Sequence, residues 1–263
     1  MSRPSLADLK RRYVDEARPL PARIKRQLED DPRRGAEAIL TAVARRQRAN
    51  RAEGQRLRRM LRYERTLWDD GCTYVAGVDE AGMSPLAGPV VAAAVILAPG
   101  TRIAQVDDSK KLDAATRDRL ANEIKQVAVA WGTGRADPRE IDTINIYHAG
   151  LLAMRRAVEA LGVAPGHLLV DARKVPEVTA PQTAIIGGDG KSLSIAAASI
   201  LAKTTRDAIM DALDAAHPEY GFCRHKGYGV PEHQRALVRY GALPEHRRSF
   251  AAVQKVVQKV VER

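Results

Sequence analysis

Cysteine is nearly absent: Cys72 and Cys223 are the only two in 263 residues, and they are too far apart for a disulfide framework or a metal-ligand spacing. Both read as free thiols in a reducing compartment, so a cytoplasmic protein is expected. No uninterrupted apolar run reaches the roughly 18 residues of a membrane helix. The opening residues, MSRPSLADLK, lack the apolar core of a secretory signal. Neither a membrane protein nor a secreted, disulfide-stapled one is therefore expected. Internal repeats and low-complexity tracts are missing as well, which removes the solenoid architectures.

Basic charge is in excess chiefly in one place. Residues 1–70 carry 19 Lys+Arg against 11 Asp+Glu, a net of +8, whereas the remaining 193 residues carry 24 against 21, a net of +3. The total of +11 is thus concentrated in the front quarter of the chain. Basic side chains release condensed counterions from phosphate backbones, so this asymmetry points to a polyanionic partner.

The chain divides by texture into a basic helical extension, 1–70, and a second segment, 71–263. Pro19, Pro21, Pro32 and Gly35 break the extension into helices, and Leu57, Met60, Leu61, Leu67 and Trp68 recur at helical spacing. Between residues 41 and 62, Arg45, Arg46, Arg48, Arg51, Arg56, Arg58, Arg59 and Arg62 are offset by Glu53 alone. Two readings fit: an arm that adds grip on nucleic acid, or a solvated amphipathic hairpin. From residue 71 strands and helices alternate. CTYVAGVD and GPVVAAAVIL read as strands joined by the turn EAGMSPLA, with a third strand near Val127–Gly132. HLLVDA and QTAIIGG are short apolar runs of the kind that fill a covered sheet. Helices are expected over about 113–126, 144–161 and from Ser192 to Ala216, and a basic tail over 244–263 ends in a short helix. This is an α/β layer architecture.

Acids fall at three strand ends. Asp79 and Glu80 close the first strand, Asp171 closes HLLVD, and Asp189 follows AIIGG just before the last long helix. In open α/β sheets, reactive groups collect at such ends. Adjacent strand residues point to opposite faces, so Asp79 and Glu80 share a site only if the chain bends, for which Ala81–Gly82 is the place. Carboxylates brought together repel unless a cation neutralises them, and hard divalent ions prefer oxygen ligands. A phosphate-binding alternative, IIGGDGKS between a strand and a helix, fails because Ile185 stands where a P-loop requires glycine.

The blocks VAGVDEAGMSPLAGPVVAAAVIL, DDSKKL, INIYHAGLLAMRRAVEAL, LLVDA, GDGKSLSIAAASILAKTTRD and YGFCRHKGYGVPEH, in this order over about residues 72–250, resemble bacterial ribonuclease HII. The front segment is similar to an extension carried by some members of that family, and does not resemble the β-containing N-terminal domain of ribonuclease HIII. The resemblance implies a ribonuclease H-like fold: a mixed central sheet of about five strands flanked by helices, with a helical N-terminal extension. It implies a monomeric endonuclease acting on RNA–DNA hybrids and on ribonucleotides embedded in duplex DNA, leaving a 3′-hydroxyl and a 5′-phosphate. It assigns Asp79, Glu80, Asp171 and Asp189 as ligands of two Mg²⁺ or Mn²⁺ ions. Tyr228 in HKGYG matches the tyrosine that packs on the junction sugar. Lys110 and Lys191 are candidate phosphate contacts, although each also reads as a solvated lysine. Ser192 reads as a cap or first-turn residue.

One departure bears on specificity. Where the family has Gly-Arg-Gly after DEA, reading the junction ribonucleotide, this chain has Gly82, Met83 and Ser84. The arginine's fork and charge are lost, and Ser84 is expected to restrict a backbone that a glycine leaves free. Ala172, Gly187 and Val230 stand where the family favours Gly, Lys and Thr. Retained cleavage of long hybrids with weakened incision at single ribonucleotides is the expected consequence.

Overall fold

The computed structural model describes residues 5–261; the outermost residues of the two expected segments, 1–4 and 262–263, lie outside that range. Two compact units divide at Arg58/Arg59, ahead of the boundary expected at residue 70.

The first unit is helical. It holds α1 (Leu6–Lys10), α2 (Ala22–Glu29) and most of α3 (Arg34–Met60). Ser5 caps α1 by accepting from the Asp8 N–H at 3.1 Å. Leu9, Leu28, Ala36, Ile39 and Val43 form its core. Arg46 is structural: it donates to the Tyr13 carbonyl at 2.8 Å and to that of Arg18 at 3.1 Å. Arg56 pairs with Glu53 at 2.7 Å. Arg45, Arg48, Arg51 and Arg58 are exposed.

The second unit begins with α4 (Arg62–Asp69), which belongs to the sheet for a physical reason. Tyr63, Leu67 and Trp68 pack with Val75, Leu169, Ile185 and Ile195. Five strands follow: β1 (Val75–Ala81), β2 (Val90–Leu97), β3 (Ala128–Ala136), β4 (His167–Asp171) and β5 (Gln182–Ile185). Their order is β3-β2-β1-β4-β5. β1 and β2 pair antiparallel, as do β2 and β3, while β4 runs parallel to both β1 and β5. Every residue of β2 is buried, because helices cover both of its faces. β5, by contrast, lies at the edge and exposes Ala184, so QTAIIGG is not the covered strand its composition implies.

The remaining helices are α5 (Ala114–Val127), α6 (Pro138–Glu159), α7 (Leu193–Ala216), α8 (Phe222–His225), α9 (Pro231–Tyr240) and α10 (Ala251–Val261). Asp137 and Glu140 form a capping box at the start of α6. The helix expected over 144–161 is the second part of this element, restarted after a kink at Asn145, where φ is 66°. The Asn145 side chain accepts from the N–H groups of Tyr147 (3.0 Å) and His148 (3.2 Å), acting as an internal cap. Ala149, Ala153, Met154 and Ala157 of α6 pack on Ala76 and Val78 of β1 and on the even-numbered residues of β2. On the other face α7 approaches β1 so closely that a Cβ on Gly77 would lie 2.0 Å from the Ser194 carbonyl carbon. Past Ala202 the buried side of α7 runs through Arg206 and Met210 rather than the expected Ala208, which is exposed.

A truncation separates the two boundaries. A chain starting at residue 59 is expected to fold and melt cooperatively. One starting at 71 strips Tyr63, Leu67 and Trp68 from the core and leaves Ser192 and Ser194 without their carboxylate partner, costing roughly 5 kcal/mol or more. Equal melting temperatures by circular dichroism for the two truncations would place the boundary at 70 instead.

Candidate active site

The pairing of β1 with β4 ends at Val78–Val170, so Asp79 and Asp171 come next along neighbouring parallel strands. By strand alternation both lie on the α7 face, and Glu80 on the opposite one. No bend within the strand brings them together: β1 stays paired through Ala81, and the chain turns only at Gly82. Asp79 instead turns back along its own strand, its Oδ1 accepting from the Glu80 N–H at 2.7 Å. Both carboxylates, with Asp171, open into one pocket of about 290 Å³ at the strand ends. Gly82, Met83, Ser84, Lys110 and Tyr228 line it too.

Asp189 and Lys191 are not among the lining residues. Asp189 sits on the single 3-10 turn Gly188–Gly190 that leads into α7. This turn is tied to the site because the Gly188 N–H donates to Asp171 Oδ1 at 2.7 Å. The Lys191 ammonium donates to the Ile186 carbonyl at 2.6 Å. Ser192 caps α7, accepting from the Ile195 N–H at 3.3 Å.

The electrostatics are those of crowded, desolvated acids. Burial, then the Glu80 charge, push Asp79 well above the usual carboxylate range, against a hydrogen bond from Ser199. Burial also raises Glu80, with Arg173 opposing and Asp171 adding to the rise. Asp189 is raised by burial and by Asp108 and Asp171. Glu80 Oε2 is buried with no hydrogen-bond partner. Among the described residues no three such side chains already close around an ion. The donor set nevertheless fits one: oxygen ligands only, mutually repelling, one of them orphaned.

Sequence reasoning missed the residues that shape the turn after Glu80. Arg247, assigned to a basic tail, is fully buried and donates to the carbonyls of Gly82 (2.6 Å), Met83 (3.1 Å) and Gly88 (3.0 Å). Arg206 donates to those of Pro89 (3.2 Å), Ala87 (3.1 Å) and Lys226 (3.0 Å). Burial beside Arg206 lowers Arg247 to about 9, and it stays cationic at neutral pH. Gly82 is required here: its φ is 96°, and a Cβ would lie 2.2 Å from Arg206 Nε. Ser84 is not among the residues with positive φ, so the backbone restriction expected at that position does not arise. Glu64, also unforeseen, is fully buried, and its Oε1 accepts from the Ser192 hydroxyl (2.6 Å), the Ser194 hydroxyl (2.7 Å) and the Ser194 N–H (2.9 Å). It thereby fixes the start of α7, just past Asp189.

A mixed five-stranded sheet with acids at the ends of its central strands defines a ribonuclease H-like nuclease fold. The family pattern described as ribonuclease HII matches residues 76–253, and that described as the ribonuclease HII N-terminal domain matches residues 12–68. The ribonuclease HII of an Anaeromyxobacter species (strain Fw109-5) is 58% identical over 257 residues, covering 98% of this chain and 82% of that protein. That of Myxococcus xanthus (strain DK1622) is 59% identical over 254 residues, covering 96% and 87%. The crystal structure of ribonuclease H2 from Pyrococcus horikoshii OT3 superposes with a TM-score of 0.61 at 25% identity, covering 72% of this chain and all of that one. The chain belongs to the ribonuclease HII family. That family comprises divalent-metal-dependent hydrolases that cut RNA in RNA–DNA hybrids endonucleolytically.

Proposed function

We propose that this enzyme hydrolyses both the RNA strand of RNA–DNA hybrids and ribonucleotides embedded in duplex DNA, leaving a 3′-hydroxyl and a 5′-phosphate. The observation that carries the reading is the buried pair Asp79 and Glu80, sharing a pocket with Asp171, with Glu80 Oε2 left without a hydrogen-bond partner. Together with Asp189 these carboxylates would hold two Mg²⁺ or Mn²⁺ ions. When bound, such ions supply Lewis-acid activation of water and neutralise charge on the leaving oxygen. Lys110, close enough to act on both Glu80 and Asp189, is suited to a substrate phosphate, and the exposed Tyr228 ring to the sugar at a ribonucleotide. Lys191, with its ammonium engaged by Ile186, would reach a phosphate further along the duplex.

The Gly82–Ser84 turn reads the 2′-hydroxyl in this proposal. Arg247 occupies the carbonyls of Gly82 and Met83, so the turn's N–H groups and the side chains at 83 and 84 are what it has left for substrate. Cleavage-site mapping on duplexes with one, four or many ribonucleotides tests the reading. Hybrid cleavage is expected to be strong and single-ribonucleotide incision about tenfold weaker, one charge-assisted contact being worth roughly that factor. The double substitution Met83→Arg with Ser84→Gly is expected to raise single-site incision alone. Equal activity of the unaltered protein on both substrates removes the turn from the account.

The exposed arginines of α3 support a further role for the helical unit in gripping the duplex. Removing residues 1–58 is expected to weaken hybrid binding and to flatten its dependence on salt. An unchanged salt slope limits that unit to a structural role.

A further inference from the structure

We propose that Arg173 contacts substrate: its guanidinium takes a phosphate oxygen of the nucleic-acid strand beside the Gly82–Ser84 turn and so sets how firmly a ribonucleotide junction is held. The inference rests on reading this pocket as the nuclease site. Nothing in the sequence marks Arg173, which follows the strand-end acid Asp171 by two positions. Its orientation comes from Ala172, whose φ of 55° turns the chain off β4, and from the Arg173 N–H donating to the Asp171 carbonyl at 2.7 Å.

Three neighbours define where the guanidinium stands. It lies over the Tyr147 ring, 4.9 Å from the centroid, and that ring is set in place by the Asn145 kink. Its Nη1 is 3.9 Å from Glu80 Oε1, an ion-pair distance beyond hydrogen-bond reach. Met83 enters the same gap: a Cβ built on Gly150 would lie 3.0 Å from Met83 Sδ and 3.5 Å from Arg173 Nη1. The absence of a side chain at Gly150 is what admits both. The side chain at 83 and the guanidinium from 173 therefore reach one wall of the pocket from two different loops.

Nη1 is buried without a hydrogen-bond acceptor, and Glu80 Oε2 beside it is buried without a donor. Two groups of opposite charge, at ion-pair distance yet without a hydrogen bond between them, mark a place left open for ligand atoms. The carboxylate calls for a cation and the guanidinium for an anion. A phosphodiester is the anion with acceptors in the fork geometry of arginine. Stacking on Tyr147 holds the guanidinium plane, so little side-chain freedom is lost on binding.

The test uses the full chain and two fluorescein-labelled duplexes, one with a single embedded ribonucleotide and one a continuous RNA–DNA hybrid. Arg173→Gln is expected to raise KM on the single-ribonucleotide duplex about tenfold. The log–log salt slope of binding should fall by about one. Arg173→Lys should keep the salt slope while losing part of the affinity, which also covers the case of a poorly folding glutamine variant. Adding Met83→Arg to Arg173→Gln should recover affinity, because residue 83 opens into the same gap. Loss of kcat with KM and salt slope unchanged overturns the proposal and leaves Arg173 as the counter-ion of Glu80. Failure of the unaltered protein to cut either duplex would be a failure of the site assignment, seen before any variant is made.

Discussion

The Asp79→Asn variant is expected to lose about a thousandfold or more in kcat and yet to melt higher than the parent protein in metal-free buffer. The two effects share one cause. Asp79 is held above the ordinary carboxylate range by burial and by the charges of Glu80 and Asp171. A carboxyl group whose folded pKa is raised destabilises the folded state progressively as pH rises from its unfolded-chain value through the folded one, so by neutral pH Asp79 opposes folding. Asparagine keeps the shape and the acceptor for the Glu80 N–H while removing the charge. The gain should be of the order of 1 kcal/mol, or roughly 2–4 °C for a unit of this size. The loss in rate follows because the amide is a poor ligand for a hard cation, and several kcal/mol of charge stabilisation go with it. Mg²⁺ or Mn²⁺ should then raise the melting temperature of the parent more than that of the variant. A variant less stable than its parent without metal, and equally stabilised with it, would mean that Asp79 is a structural acid.

The parts of this site that were legible in the sequence are those encoded locally. Asp79, Glu80 and Asp171 stand out because short apolar strands run into them, Asp189 because it lies in the turn between β5 and the last long helix, and Ser192 because a cap precedes a long apolar period. What was not legible comes from contacts over long sequence distances. Arg247 reaches Gly82 across 165 positions and Glu64 reaches Ser194 across 130. In a local window each is a charged residue in a polar run, and burial of a charge becomes visible only when its partners are placed. The division of the two compact units at Arg58/Arg59, ahead of residue 70, was not legible for the same reason. α4 is as helical as the segment before it, but Leu67 and Trp68 pack on the sheet. The concern over Ser84 depended on a dihedral angle that sequence does not carry, and the angle is ordinary.

The structure also changes where specificity is to be sought. The carbonyls of Gly82 and Met83 are held by Arg247 and not by the side chains at 83 and 84. The difference from the family pattern is then one of side-chain chemistry on a fixed frame. Tyr228 is held in a comparable way, by its backbone, and here the tether is titratable.

Acid is expected to remove the stability that this tether contributes. The Leu243 N–H donates to His246 Nδ1 at 3.0 Å, so the ring proton of neutral His246 is on Nε2. Nε2 faces His233 Nε2 at 3.0 Å, which must then accept, leaving the His233 proton on Nδ1 to donate to the Tyr228 carbonyl at 2.9 Å. A second proton on either ring sets two N–H groups against each other. Burial and His233 lower His246 to about 3, and burial lowers His233. For a histidine with a depressed folded pKa, the unfolded chain binds the proton first. The stability this pair contributes is complete above about pH 6.5 and is lost as pH falls from there toward 3. Each ring steepens the fall by up to about 1.4 kcal/mol per pH unit, or roughly 2 kcal/mol for His246 between pH 6.5 and 5. The raised carboxylates act in the opposite sense, so the measurement belongs in the Asp79→Asn background. Urea midpoints there should fall with pH, and adding His246→Asn should lower the midpoint at pH 7 but flatten the slope below 6.5. In the active protein the native rings stay neutral over most of that window, so KM for a single-ribonucleotide duplex should hold wherever the protein remains folded. Parallel stability slopes with and without His246 would mean that the pair is protonated in the folded protein and that Tyr228 is held by other contacts.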